Sequence, residues 1–450
     1  MTTLLPDRVL LDGEWRSGIG VVLEGERIAA VEQISEGTRL PGLALLPGLV
    51  NGHSHAFQRA LRGRTEHRSP EHPGDDFWSW RELMYSAAES LQPEEIEVVS
   101  RMAFLEMVLT GITSVGEFHY LHHPAGGGRY DDPEELARRV AAAADQIGIH
   151  MVLLRVAYAR GGFQRQAHPR QARFIDDNPD ETLAAVERLR KLGMTVGVAP
   201  HSVRAVPVEW LRELGGYARA HGLVFHSHVS EQPREIEECL AEHGLRPVQL
   251  FEREDLLWDG FTGVHAIHLE ESEFAMLGRA RATVCSCPTT ERNLGDGVVE
   301  AGRLLSAGVH ISLGTDSQCQ IDLLEDARQL EYHLRLQRLE RAVLDPLDRN
   351  PSALARRLFD CATLSGARSL GLQAGRIAAG LRADLIAINL EDPSIAGAGD
   401  PLPAIVFGLE RSAVRHVWVG GKQIVHDGRH AETEATIPEF RQVMRRLLSL

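Results

Sequence analysis

The sequence predicts an α/β chain, a (β/α)8 TIM barrel with a small β-sandwich domain built from both termini. Three observations carry this. Eight short apolar runs, "LPGLVNGHSH", "GITSVGEF", "IHMVLLRVAY", "TVGVAPHS", "LVFHSHVSE", "FTGVHAIHL", "ATVCSCP" and "VHISLGTDS", are separated by charged helical segments. The runs do not alternate polar with apolar residues, as parallel strands covered on both faces need not. Polar residues crowd the C-terminal end of nearly every run, and in such a barrel that face carries the active site.

The elements follow in order. Residues 1–46 form the first part of the small β domain, with short strands in "RVLL", "GVVLEG" and "RIAAVE" divided by glycine and charged turns. Residues 47–368 form the catalytic barrel. Its helices include "QPEEIEVVSRMAFLEMVLTG", which has Pro93 near its start, acids in its first turn and Gly111 past its end. Residues 369–450 return to strands in "GRIAAGLRADLIAINL" and in the hairpin "VRHVWVGGKQIVHDG", completing the small domain before a terminal helix. A chain of 450 residues exceeds the roughly 250 to 300 at which one core stops growing, so a large domain plus a smaller one is expected.

Composition narrows the function. Lys and Arg number 48 against 63 Asp and Glu, a net charge of −15, which argues against nucleic acid or an anionic membrane as partner. Among those cations only Lys191 and Lys422 are lysines, so lysine chemistry is nearly excluded. The five cysteines form no CxxC pair and suit a reduced compartment. The opening "MTTLLPDRVLLDG" lacks the basic region and apolar core of a signal peptide, and no segment approaches about 18 uninterrupted apolar residues. A cytoplasmic protein is expected.

The first run ends in His53 and His55. On an extended strand end, residues two apart project to one side, so both imidazoles can reach a common ion. The fifth run ends in His228 with Glu231 three residues on, and the eighth ends in Asp316. These residues converge only if the strands close into a barrel. Cys285 and Cys287 alternate in the same way on the seventh run, but such thiols are more often small buried hydrophobes.

These residues, with the tail motif "GRIAAGLRADL", resemble the amidohydrolase superfamily over nearly the whole chain. The resemblance implies that His53, His55, His228 and Asp316 hold one divalent ion, Zn²⁺, which lowers the pKa of its water to about 7. Many members carry two metals bridged by a carbamylated lysine at the end of the fourth strand. Here that run, "TVGVAPHS", has no lysine, as in the single-metal deaminases. The same resemblance makes Glu231 the proton shuttle and Asp316 an acceptor from the water. It makes His265 the residue that orients the water, in preference to His268 three residues later.

Selectivity is expected from the loops. The first carries Gln58 and ends in Arg81; the second run leads to Tyr120; the fourth ends in His201 and Arg204. Arginine grips carboxylates with paired hydrogen bonds, which points to a small anionic substrate. The stretches "GHSHAFQRALRGRTE", "FWSWRELMY", "GEFHYLHH" and "APHSVRAV" resemble the branch that deiminates N-formimidoyl-L-glutamate in histidine degradation. That implies formation of N-formyl-L-glutamate and ammonia, with Gln58, Arg81, Tyr120, His201 and Arg204 on the glutamate portion. Barrels of this kind commonly form homodimers. The alternative is an amino-purine deaminase of the guanine or S-adenosylhomocysteine type, whose site would favour aromatic stacking over arginines. A triazine chlorohydrolase and a scaffold without ligands are more distant.

Overall fold

A computed structural model describes residues 1–67, 74 and 76–448. The chain opens with β1 (Thr2–Leu11), β2 (Glu14–Arg16), β3 (Gly20–Glu24), β4 (Arg27–Glu32) and β5 (Thr38–Pro47). It continues with β6 (Leu49–Ser54), β7 (Ile112–His119), β8 (His150–Ala157) and β9 (Thr195–Pro200). Then come β10 (Phe225–Val229), β11 (Phe261–His265), β12 (Thr283–Ser286) and β13 (His310–Leu313). The tail adds β14 (Leu385–Asn389), β15 (Val414–Val419), β16 (Lys422–His426) and β17 (Arg429–His430).

Strands β6 to β13 form an eight-stranded sheet in sequence order, parallel throughout. Its ends meet at one parallel bridge between Ser54 and Asp316. There His55 N–H donates to Asp316 O at 3.0 Å and Asp316 N–H to His53 O at 3.1 Å. The seam is tight: a Cβ on Gly314 would stand 2.9 Å from Cys287 Sγ and from His53 O, so only glycine fits. The barrel therefore closes through the backbone of the residues expected to bind metal. Seven of the eight apolar runs contain one of these strands whole, and β7 runs one residue past its run to His119.

The terminal domain is one nine-stranded mixed sheet rather than two separate ones, in the order β17-β16-β15-β14-β5-β1-β3-β4 with β2 on β1. Its strands fold over their own core of Val9, Val21, Leu45, Leu385 and Trp418. β5 was not among the strands expected within residues 1–46, yet Leu43 to Pro47 pair with β14 in antiparallel register. Only Gly48 separates β5 from β6, and its N–H donates to Asp384 O at 2.9 Å. The stretch read as strands from 375 to 390 contains one strand, β14, after a loop whose Arg382 bridges Arg27. The terminal helix Thr433–Leu448 packs on the barrel helix Pro93–Leu109, burying Phe440, Val443 and Leu447, with Arg446 paired to Glu95. Among the described residues no helix is long and apolar enough to cross a membrane.

Candidate active site

The Nε2 atoms of His53 and His55 stand 3.1 Å apart, and His228 Nε2 is 3.2 Å from that of His53. Asp316 Oδ1 lies 3.4 Å from His53 Nε2 and 3.2 Å from His55 Nε2. Four donors about 2.0 to 2.1 Å from one ion would be roughly 3.3 to 3.4 Å apart in a tetrahedron, close to these edges. The protonation pattern agrees. His55 Nδ1 lies 3.0 Å from Phe118 O and His228 Nδ1 3.0 Å from His201 O, so each ring donates there and turns an Nε2 lone pair inward. Burial lowers His53 to about 3 and keeps it neutral. His228 is likewise held well below its ordinary value by burial and by the neighbouring histidines. Burial would raise Asp316, but its contacts with His53 and His55 hold it well below the usual carboxylate range. Lone pairs facing one another across 3 Å repel unless a cation lies between them, so the donor set fits a divalent ion.

Glu231 follows on the loop after β10, where Ser230 has a φ of +51°. Its Oε2 accepts from Arg204 Nη2 at 2.9 Å, and its Oε1 lies 3.6 Å from His265 Nε2. His265 ends β11 at φ +70° and Asp316 sits at φ +45°, a conformation costly for residues with a Cβ and characteristic of functional sites. His265 Nδ1 lies 3.3 Å from Glu291 Oε1, and its Nε2 points toward Asp316 Oδ2 at 3.9 Å. Burial opposes charge on this ring, but Glu231, Glu291 and Asp316 outweigh it and raise it to about 10. His268 turns the other way, with its Nε2 2.9 Å from Asp296 O.

A cleft opens above these groups. His55, His228, Asp316, Glu231 and His265 line it, together with all five residues expected to hold substrate: Gln58, Arg81, Tyr120, His201 and Arg204. His53 lies beneath. Two cations reach the cleft with donors unused: Arg204 Nη1 and Arg81 Nε are buried without a partner among the described residues. Glu231 and Glu235 flank Arg204 and raise it above its ordinary value against the cost of burial. Gln58 Nε2 donates to Tyr120 OH at 2.8 Å, leaving Gln58 Oε1 buried and unpartnered. His201 is held neutral by burial and by Arg204.

The sequence reading missed the groups that hold these side chains. Glu291 receives Cys287 N–H at 2.7 Å and faces His265. Glu117, raised to about 7 by burial, accepts from Ser54 Oγ at 2.6 Å and Ala56 N at 2.8 Å beneath the histidine pair. Glu235 accepts the N–H groups of Ser230 and Glu231, both at 3.2 Å. The aromatic lining of Phe77, Trp80, Tyr85, Tyr158 and Phe174 was also missed, because an overall aromatic content of 6% says nothing of where the rings gather. For Glu235 a signal existed, the stretch "HVSEQPRE", in which Pro233 opens a helix and Glu235 stands in its first turn, four residues after Glu231. Cys285 and Cys287 form an apolar cluster with Val264, although Cys287 also lies within reach of His265 and Asp316. Lys191 and Lys422 are exposed, away from the cleft. Residues 68–73 and 75 of the long first loop lie outside the described residues.

Residues 44–424 match the model of the amidohydrolase family. The chain is 37% identical over 459 residues to formimidoylglutamate deiminase of Pseudomonas aeruginosa, covering 100% of both. It is 28% identical over 413 residues to a 5-methylthioadenosine/S-adenosylhomocysteine deaminase of Natronomonas pharaonis, covering 90% of this chain and 87% of that one. The crystal structure of an amidohydrolase from Brucella melitensis matches with a TM-score of 0.91 at 34% identity, covering 100% of both chains.

Proposed function

The chain belongs to the amidohydrolase family, and from that premise we propose that it hydrolyses N-formimidoyl-L-glutamate to N-formyl-L-glutamate and ammonia, a step of histidine degradation. It is a hydrolase of carbon–nitrogen bonds acting on a small molecule. The observation that carries the substrate is the pair of unused donors, Arg81 Nε and Arg204 Nη1, in a cleft that also holds the histidine and aspartate cluster. A buried guanidinium N–H without an acceptor is costly, and a ligand carboxylate would satisfy it.

His53, His55, His228 and Asp316 would hold one Zn²⁺ per chain, a choice that rests on imidazole and carboxylate donors in tetrahedral spacing. Bound there, the ion supplies a Lewis acid and a water acidic enough to serve as nucleophile near neutral pH. Glu231 would take a proton from the attacking water and pass it to the terminal nitrogen of the amidine; as the tetrahedral carbon collapses, its hydroxyl proton would follow to that nitrogen, which leaves as ammonia while the carbon keeps the oxygen. His265, fixed by Glu291, orients the water, and Asp316 accepts from it. Gln58, Arg81, Tyr120, His201 and Arg204 hold the glutamate portion. The working form is a homodimer in the cytoplasm.

The amino-purine reading keeps one supporting observation, the rings of Phe77, Trp80, Tyr85, Tyr158 and Phe174 around the cleft. Guanine, however, would offer the arginines neutral acceptors only and S-adenosylhomocysteine a single carboxylate, whereas N-formimidoyl-L-glutamate carries two. Ammonia release measured against N-formimidoyl amino acids and amino-purines separates the two. Turnover of the glutamate derivative and none of guanine or S-adenosylhomocysteine is expected, and the reverse would replace this reading with the purine one.

A further inference from the structure

Tyr85, Tyr158 and Gln171 form a hydrogen-bonded group at the wall of the cleft. The two tyrosines line it, whereas Gln171 stands behind them, 2% exposed. Gln171 Oε1 accepts the backbone N–H of His168 at 2.8 Å. That contact sets the amide the only way round that satisfies it, with Nε2 toward the phenols. Nε2 then donates to Tyr85 OH at 3.0 Å and to Tyr158 OH at 2.9 Å. Both of its hydrogens are used, and both phenol oxygens act as acceptors on that side.

A phenol that accepts from Gln171 must aim its own O–H elsewhere. Phe174 closes one side, its ring 5.7 Å from each tyrosine ring, and the open direction is the cleft. If one phenol shares its proton with the other, one O–H still remains for the cleft. The same corner holds the two cations. The Arg81 guanidinium lies 5.5 Å from the Tyr85 ring centre, and the Tyr158 ring is 4.6 Å from that of His201, three residues before Arg204. Guanidinium and phenol donors thus converge on one volume, where Arg81 Nε and Arg204 Nη1 have no acceptor among the described residues.

Resting on the dicarboxylate reading above, we propose that Tyr85 and Tyr158 are specificity residues whose O–H groups bind a substrate carboxylate together with Arg81 and Arg204, and that Gln171 is the positioning residue that aims them. A carboxylate has about four lone-pair sites and can accept from both kinds of donor at once. An uncharged amide in the same place would have to turn its N–H₂ toward donors, so the group rejects neutral analogues as well as binding anions.

The test uses the full-length, metal-loaded enzyme with three substitutions. Tyr158→Phe and Tyr85→Phe each remove one oxygen and keep the ring. Gln171→Glu keeps the shape but can only accept, so it draws the phenol O–H groups away from the cleft. Two readouts are taken: the kinetics of N-formimidoyl-L-glutamate, and the calorimetric affinity for L-glutamate, a dicarboxylate with no formimidoyl group to turn over. A hydrogen bond to a charged group lost in this way weakens binding about 10- to 100-fold. We expect that loss in KM and in L-glutamate affinity for Tyr158→Phe and Gln171→Glu, with kcat falling much less. A merely structural Gln171 would lower kcat and folded fraction together without that split. If Gln171→Glu does not fold, Tyr158→Phe and Tyr85→Phe decide. L-glutamate affinities within twofold of wild type in both tyrosine variants overturn the inference. Failure of wild-type enzyme to release ammonia from N-formimidoyl-L-glutamate overturns the proposed function instead, and loss of L-glutamate binding in the variants would still support the tyrosine site.

Discussion

Arg204 Nη2 donates to Glu231 Oε2 at 2.9 Å, so the cation assigned to the substrate and the carboxylate assigned to proton transfer are bonded to each other. Both side chains are 6% exposed, and removing one member of a buried pair leaves the other charge uncompensated. An arriving substrate carboxylate competes with Glu231 for Arg204. Substitution of Arg204 should therefore affect both binding and the chemical step.

Arg204→Ala is expected to lower kcat/KM about 10- to 150-fold or more, with kcat falling as well as KM rising. Arg81 contacts the rings of Trp78 and Tyr85 and no catalytic carboxylate, so Arg81→Ala should act mainly through KM. Steady-state kinetics of the two variants check this. Equal effects on kcat would show that the pairing with Glu231 has no part in catalysis.

Glu231→Gln preserves an oxygen for Arg204 but cannot carry the proton. It should keep its metal while kcat falls about 10²- to 10⁴-fold. Elemental analysis alongside kinetics tests both halves, and a loss below about fivefold would assign proton transfer to another group.

Much of this site was legible because barrel topology turns distant positions into neighbours at one face. His53, His55, His228 and Asp316 stood at the ends of recognisable apolar runs, and the closure of β6 on β13 brings them together. Illegible were contacts between elements with no sequence period to mark them. Gln171 lies in a short 3-10 turn, Glu291 in a seven-residue helix, and each acts on a residue far away in the chain. β5 was hidden because "LALLPGLV" runs without a break from the terminal sheet into the barrel, and only pairing with β14 shows where one ends. The overall aromatic content gave no sign that Phe77, Trp80, Tyr85, Tyr120, Tyr158 and Phe174 gather at the cleft.

One divalent ion per chain is expected from a donor set completed without a lysine. Elemental analysis of active enzyme should find one equivalent, and His228→Asn should abolish both the ion and activity. Two equivalents in active wild-type enzyme would contradict the assignment.

Away from the cleft, Arg155 and Asp176 form a two-pronged pair at 2.7 and 3.1 Å, 4% and 0% exposed, with Thr182 Oγ1 also donating to Asp176 at 2.6 Å. Asp176→Ala leaves a buried guanidinium without its counter-charge and should cost about 3 to 5 kcal/mol in denaturant unfolding. Glu238→Ala, which removes the partner of the half-exposed Arg165, should cost no more than about 1 kcal/mol. Similar losses would contradict the role given to burial.

Acid should destabilise the fold through His119. Burial first, and Arg155 second, lower this imidazole from 6.5 to about 3. The unfolded chain takes up the proton below about 6.5 and the folded one only near 3, so this stability is present above 6.5 and is lost as pH falls toward 3. His119→Gln should flatten the fall in unfolding free energy between pH 6.5 and 4, and an unchanged slope would assign it to other groups.

The central claim, that two arginines select a second carboxylate, is tested most directly by one ratio: kcat/KM for N-formimidoyl-L-glutamate over that for N-formimidoyl-L-glutamine. The two differ by a single charge, the one that the proposed function assigns to Arg81 and Arg204, whose N–H groups are unused among the described residues. The ratio should be about 10 to 150 in wild-type enzyme and fall toward one in Arg204→Ala. A wild-type ratio near one, or a ratio unmoved by both Arg81→Ala and Arg204→Ala, would contradict arginine recognition and send the search for the substrate to the amino-heterocycles.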